Sequence, residues 1–180
     1  MAAEDAKDTD RILLVGMMGA GKTSVGTALA ARLGRPFLDN DALVRALTGR
    51  EPPEIDASDG EDALHRAEAD ALRAAVARPG TSIIAVAGAI VDDPPERARL
   101  ARSGFVVWLR ARPETLRARI GTGAGRRHEA TDLEWLAARS DEREPAYRAV
   151  ADLIVDVDER TVDEVVDRVE AALGGGSSAG

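Results

Sequence analysis

The chain has 180 residues, 44% of them hydrophobic, with 24 Lys plus Arg against 32 Asp plus Glu, a formal charge of −8 and a pI near 4.9. A chain this acidic has no general attraction for nucleic acid or an anionic membrane surface, so an anionic ligand must be met by a local cluster of positive charge. There is no cysteine for a disulfide or a thiolate, no run nears the roughly 20 apolar residues of a membrane span, and MAAEDAKDTD lacks the apolar core of a signal peptide, so the cytoplasm is the expected address.

In chain order, residues 1–9 form a polar tail ahead of a single domain over 10–173, and 174–180 form a second tail; both are expected to be disordered. The strand RILLV (Arg11–Val15) leads through a glycine-rich turn to a helix over Lys22–Leu33. PFLD (Pro36–Asp39) reads as a strand, followed by helices over Asp41–Thr48 and Glu61–Val76. Next come a strand over Ser82–Val86, a helix over Pro95–Arg102 and a strand over Phe105–Leu109. Helices over Pro113–Ile120 and Asp132–Asp141, a strand over Asp152–Val157 and a helix over Val162–Leu173 complete the chain. Thr131 with Glu134, and Thr161 with Glu164, have capping-box spacing. Val162, Val165, Val166, Val169 and Leu173 line one face of the last helix. Strands apolar at nearly every position are covered on both faces, and their alternation with helices predicts an open α/β sheet. Ligands of such sheets bind at the carboxyl ends of the strands.

The turn after the first strand reads GMMGAGKT, a Gly-x-x-x-x-Gly-Lys-Thr phosphate loop from Gly16 to Thr23. Backbone N–H groups must point inward at phosphate oxygens there, and side chains on Gly16, Gly19 and Gly21 would block that approach. The helix starting near Lys22 adds its positive end. Lys22 reaches the β- and γ-phosphates, and the Thr23 hydroxyl is placed to ligate Mg²⁺. This pattern establishes a nucleoside triphosphate; transfer, coupled hydrolysis and a nucleotide switch all remain open. Asp39 and Asp41, two apart on an extended segment, are expected to project to one side. One carboxylate then holds Mg²⁺ while the other meets a hydroxyl, with Asp41 also available as a helix N-cap.

GMMGAGKTSVG, the Asp39-Asn40-Asp41 pair, LTGREPPEI, DGEDALHRAEADAL, GFVVWL and REPAYRAVAD resemble the shikimate kinase family in order and spacing from residue 11 to about 170. The resemblance implies a three-layer α/β/α phosphate-loop kinase with a five-stranded parallel sheet and a short mobile lid near 120–131. It implies ATP and Mg²⁺ as cofactors, shikimate or a closely related hydroxylated small molecule as acceptor, and a monomer with neither nucleic acid nor membrane as partner. Carried onto this sequence, the nucleotide set is Gly16, Gly19, Ala20, Gly21, Lys22, Thr23, Ser24, Arg119 and Arg160, with Arg160 against the adenine. Thr23 and Asp39 serve the metal. Lys22, Asp41 and the lid arginine Arg127 are the catalytic set. Asp41, His65, Arg66, Gly88 and Arg143 face the acceptor, with Arg143 on the substrate carboxylate.

The departures fall on the acceptor side. Leu64-His65 stands where the family has Phe-Arg, leaving Arg66 either a replacement one residue late, turned by about 100° on a helix, or part of a solvated face. Ala87-Gly88-Ala89 replaces three glycines, and each added methyl narrows the pocket or forbids a positive φ. GAGRRHEA keeps lid arginines but lacks the family's Pro-Leu-Leu, and Val162 replaces a proline near Arg160. Two further readings follow: the same kinase chemistry on another polyhydroxylated metabolite, such as a cyclitol or sugar acid, and a nucleotide-binding module without catalysis.

Overall fold

The run Ile12-Leu13-Leu14-Val15 has nowhere to face but protein, and it forms β1 (Arg11–Val15) at the centre of the sheet with those four side chains at most 2% exposed. A computed structural model describes residues 8–121 and 132–175. β2 (Phe37–Asp39), β3 (Ser82–Ala85), β4 (Phe105–Arg110) and β5 (Leu153–Asp156) complete a parallel sheet in the order β2-β3-β1-β4-β5. Leu14 lies opposite Ala85 on one side and Val107 on the other, which brings the carboxyl ends of β3, β1 and β4 level. The chain crosses from β1 to β2 on one side and later reaches β4 on the other. The strand order therefore reverses at β1, and ligand crevices in open α/β sheets lie at such a point.

The helices are α1 (Lys22–Leu33), α2 (Asn40–Thr48), α3 (Pro52–Asp59), α4 (Glu61–Val76), α5 (Pro94–Arg102), α6 (Pro113–Ile120), α7 (Leu133–Val150) and α8 (Val162–Gly175). A 3-10 turn over Gly88–Asp92 follows β3. Both faces of β1, β3 and β4 are buried, giving the expected α/β/α layering. The described residues hold no helix long and apolar enough to cross a membrane. Buried Glu96 on α5, 1% exposed, accepts from Arg73 Nε of α4 at 3.1 Å and from Arg99 Nε at 3.2 Å, and so ties α4 to α5.

Several local readings are corrected. The helix expected over Asp132–Asp141 runs on to Val150 through Pro145, which surrenders one helical hydrogen bond without ending the helix. α3 was not expected: both prolines of EPPEID fall in its first turn, where a missing N–H costs nothing, and Glu51 N donates to Glu54 Oε2 at 3.0 Å. Asp132 caps α7 by accepting from Trp135 N at 2.8 Å, so Thr131, outside the described residues, is not its N-cap. The Thr161–Glu164 box is present, with Thr161 N donating to Glu164 Oε2 at 2.7 Å and Glu164 N to Thr161 Oγ1 at 3.2 Å. Val165, Val166 and Val169 are buried as expected, whereas Val162 is exposed. α8 also continues past the expected tail boundary to Gly175.

Candidate active site

The nucleotide half begins where β1 ends. Gly16 and Gly19 sit at φ 143° and 83°, and a Cβ on them would come within 2.5 Å of Leu109 O and 2.9 Å of Leu116 O. These two glycines are required by close backbone approach as well as by dihedral. α1 starts without a side-chain cap, its N-cap being Gly21, so its first N–H groups point out of the loop. Lys22 Nζ donates to the carbonyls of Gly16 at 2.7 Å and Met17 at 3.1 Å, which holds the ammonium over the loop. Thr23 and Ser24 are exposed at the helix start, and Ala20 is buried beneath the loop. Arg119 of α6 donates to Ala20 O at 3.2 Å and to Val157 O at 2.8 Å. Arg160 donates to Asp156 O at 2.6 Å and borders a shallow cleft with Arg112, Asp158 and Glu159. The two arginines thus bind consecutive carbonyls at the end of β5, and Arg119 also reaches the phosphate loop at Ala20.

Thr23 Oγ1 donates to Asp39 Oδ2 at 2.9 Å, joining the two expected metal residues across sixteen positions of sequence. Two adjacent oxygen donors, with no cluster of three or more acidic or histidine ligands among the described residues, suit a magnesium ion that keeps water and phosphate as its other ligands. The reasoning that paired Asp39 with Asp41 is corrected. The strand stops at Asp39, and its side chain is itself the N-cap of α2, accepting from Asp41 N at 3.0 Å. Asp41 therefore projects from the first turn of a helix and does not alternate along a strand; it is not the N-cap.

The residues expected to face an acceptor come from α2, α4, the 3-10 turn and α7. Arg143 and Tyr147, four apart on α7, share one helix face. Tyr147 is 1% exposed, stacks on Trp108 with centroids 5.5 Å apart, and donates its hydroxyl to Gly88 O at 2.9 Å. Burial pushes its phenol well above the ordinary range, so it remains a donor. Arg143 has an 11% exposed side chain; its Nε donates to Asp92 Oδ1 and Oδ2 at 3.0 Å and its Nη2 to Oδ2 at 2.6 Å. Its Nη1 points the other way, 3.7 Å from Met17 Sδ of the phosphate loop. Burial is the largest single influence on the Arg143 charge and works against it, but the Asp92 hydrogen bonds, together with the charges of Tyr147, Asp92 and Glu68, outweigh it and raise its pKa. A Cβ on Gly88 would lie 3.3 Å from Gly16 O, 3.4 Å from the Tyr147 hydroxyl and 3.7 Å from Arg143 Nη1. The space between the phosphate loop and the 3-10 turn is therefore narrow and faces Arg143. Ala87 has φ −60° and no non-glycine residue among those described has positive φ, so the two alanines flanking Gly88 fit without strain.

Glu68, which the sequence reading did not single out, belongs to this half. Its Oε2 is buried with no hydrogen-bond partner among the described residues. Burial pushes its carboxyl up to about 7, the charge of Asp41 adds to that, and Arg143 and Lys22 pull it down. These influences put Asp41, Glu68, Arg143 and Lys22 around one space. The available signal was position: Glu68 lies one helical turn from Leu64 and His65. His65 Nε2 is 3.7 Å from Glu61 along its own helix, and Arg66 is exposed. Neither lies in the Arg143–Gly88 cluster. Arg126 and Arg127, with the rest of 122–131, fall outside the described residues.

With this geometry in hand, comparison with known proteins is specific. A shikimate kinase family model matches residues 18–174. A shikimate kinase of Symbiobacterium thermophilum is 43% identical over 167 residues, covering 90% of this chain and 95% of its own. One from Salinibacter ruber is 38% identical, with coverages of 88% and 82%. Among solved structures, a shikimate kinase from Acinetobacter baumannii in complex with shikimate superposes with a TM-score of 0.88 at 28% identity, covering 94% of this chain and 96% of that one. A gluconokinase from Sinorhizobium meliloti, at 23% identity and a TM-score of 0.63, shares the fold. A phosphate loop at the switch point of a five-stranded parallel sheet, and relatives matching over most of both lengths, have one reading: this chain belongs to the shikimate kinase family.

Proposed function

We propose that the chain transfers the γ-phosphoryl group of ATP to a hydroxyl of shikimate. The observation that carries this is the placement of Arg143 Nη1 beside Met17 of the phosphate loop and against Gly88. One cation is thereby available to a carboxylate whose ring lies along the Gly88 backbone, while the hydroxyls reach Asp41. Lys22 and the N–H groups of the loop bind the β- and γ-phosphates. Mg²⁺, held by Thr23 with Asp39 beside it, neutralises phosphate charge when bound. Asp41 orients the attacking hydroxyl and takes its proton. Arg127, outside the described residues, is the lid arginine in this reading, and Arg119 and Arg160 flank the nucleotide. The enzyme acts in the cytoplasm as a monomer.

Among the described residues, the carboxyl groups of Asp92 and Glu68 both act on Arg143, and Asp41 in turn acts on Glu68. That balance favours a second reading in which the acceptor is an uncharged polyol. An ATP-consumption assay over shikimate, quinate, gluconate and cyclitols separates the two. The proposal expects turnover on shikimate with a KM in the range of about 1 μM to 1 mM. Turnover confined to an uncharged polyol would replace it.

A further inference from the structure

We infer that Asp92 is a positioning residue for acceptor binding, aiming the Arg143 guanidinium so that its Nη1 end faces the acceptor space. The inference rests on the reading of Arg143 as the carboxylate-binding residue. A guanidinium offers two edges for bidentate pairing, the Nε–Nη2 side and the Nη1–Nη2 end. Asp92 takes the side edge entirely, with three contacts of 2.6–3.0 Å. The end edge is left toward Gly88 and Met17, where the hydrogen-bond contact of Nη1 among the described residues is 3.7 Å to a thioether sulfur, a weak acceptor that an incoming carboxylate readily replaces, with the Tyr147 hydroxyl close by.

The backbone supports the same assignment. α7 grips the 3-10 turn at both ends, Tyr147 at Gly88 and Arg143 at Asp92. The turn that supplies the pocket floor thus also supplies the carboxylate that orients the pocket's arginine. A flexible four-bond side chain is fixed before substrate arrives, so its rotamer entropy is not lost on binding.

Asp92 has an opposing effect, because its negative charge deters an incoming anion. Its side chain is 38% exposed, so water screens that charge. Orientation of the nearly buried Arg143 is not screened in this way, and with His65 in place of a second arginine it is the larger effect. The two effects predict opposite signs, which makes the inference testable.

The test is steady-state kinetics with shikimate and MgATP, and calorimetric binding of shikimate alone, for wild type, Asp92→Ala and Asp92→Asn. Asp92→Ala is expected to raise the KM and Kd for shikimate about tenfold, as a misaimed side chain does, with kcat and the KM for ATP within about twofold. Asp92→Asn, whose amide oxygen still accepts from one N–H, should fall between. An unchanged shikimate KM, or a KM lowered by loss of the competing charge, overturns the inference. So does a joint decline of kcat, ATP affinity and melting temperature, which marks a purely structural residue. Wild type that turns over shikimate while Asp92→Ala matches it defeats only the inference; wild type that neither binds nor phosphorylates shikimate defeats the functional reading and the inference together.

Discussion

The nucleotide side is made from one continuous segment, Gly16 to Ser24, closed by Arg119 and by the loop after β5. The acceptor side draws Asp41, Glu68, Gly88, Asp92, Arg143 and Tyr147 from elements scattered over a hundred residues. A contiguous site has its geometry dictated by local backbone rules, so little in it changes without loss of function. An assembled site has its geometry dictated by tertiary packing, and neighbours trade roles: His65 stands where an arginine is expected, and Asp92 and Glu68 enter the circuit instead. On the proposed reading, the phosphate chemistry belongs to one side and acceptor preference to the other.

The largest expected break is on the nucleotide side. Lys22→Ala removes the cation over the loop and should lower kcat at least about 100-fold in an ATP-consumption assay; near-normal turnover would remove the phosphate-loop assignment. Asp41→Asn should lower kcat about 10²–10⁴-fold, the usual contribution of a positioned general base, with the KM for ATP unchanged. A weakened ATP KM would move Asp41 to the metal site and blur the boundary between the two halves. Arg143→Ala should raise the shikimate KM by about one to two decades, equivalent to a lost charged contact of roughly 1.5–3 kcal/mol, and leave nucleotide affinity alone.

The smallest effect is on stability. The Glu68 carboxyl, raised from 4.5 to about 7 by burial and then by Asp41, binds a proton in the folded chain over a range where the unfolded chain has released it. The folded state holds more protons between those values, so stability falls as pH rises through that window. Glu68→Gln should melt close to wild type near pH 4.5 and several degrees above it at pH 8, measured by thermal scans across pH. Parallel pH curves for the two proteins would place Glu68 outside the buried cluster.

Most of the frame was legible in the sequence because it is local. Short apolar runs located the five strands, of which β1, β3 and β4 are buried on both faces, and the loop pattern located the phosphate site. What was missed depended on context. No helix was assigned to EPPEID, whose prolines occupy the first turn of α3, and Pro145 lies inside α7 because tertiary contacts hold the helix on both sides of it. The alternation argument for Asp39 and Asp41 failed because a strand of three residues gave way to a helix one residue early. Asp92 left no signal at all, since its partner is 51 residues away and only packing of α7 on the 3-10 turn brings them together.

Whether one oriented arginine organises the acceptor side is tested most directly by comparing kcat/KM for shikimate and its neutral carboxamide in wild type and Arg143→Ala. Wild type is expected to prefer the carboxylate by about 10- to 100-fold, and the preference to collapse to near unity in the variant, the signature of direct coupling in a double-difference cycle. An equal preference in both proteins would contradict it.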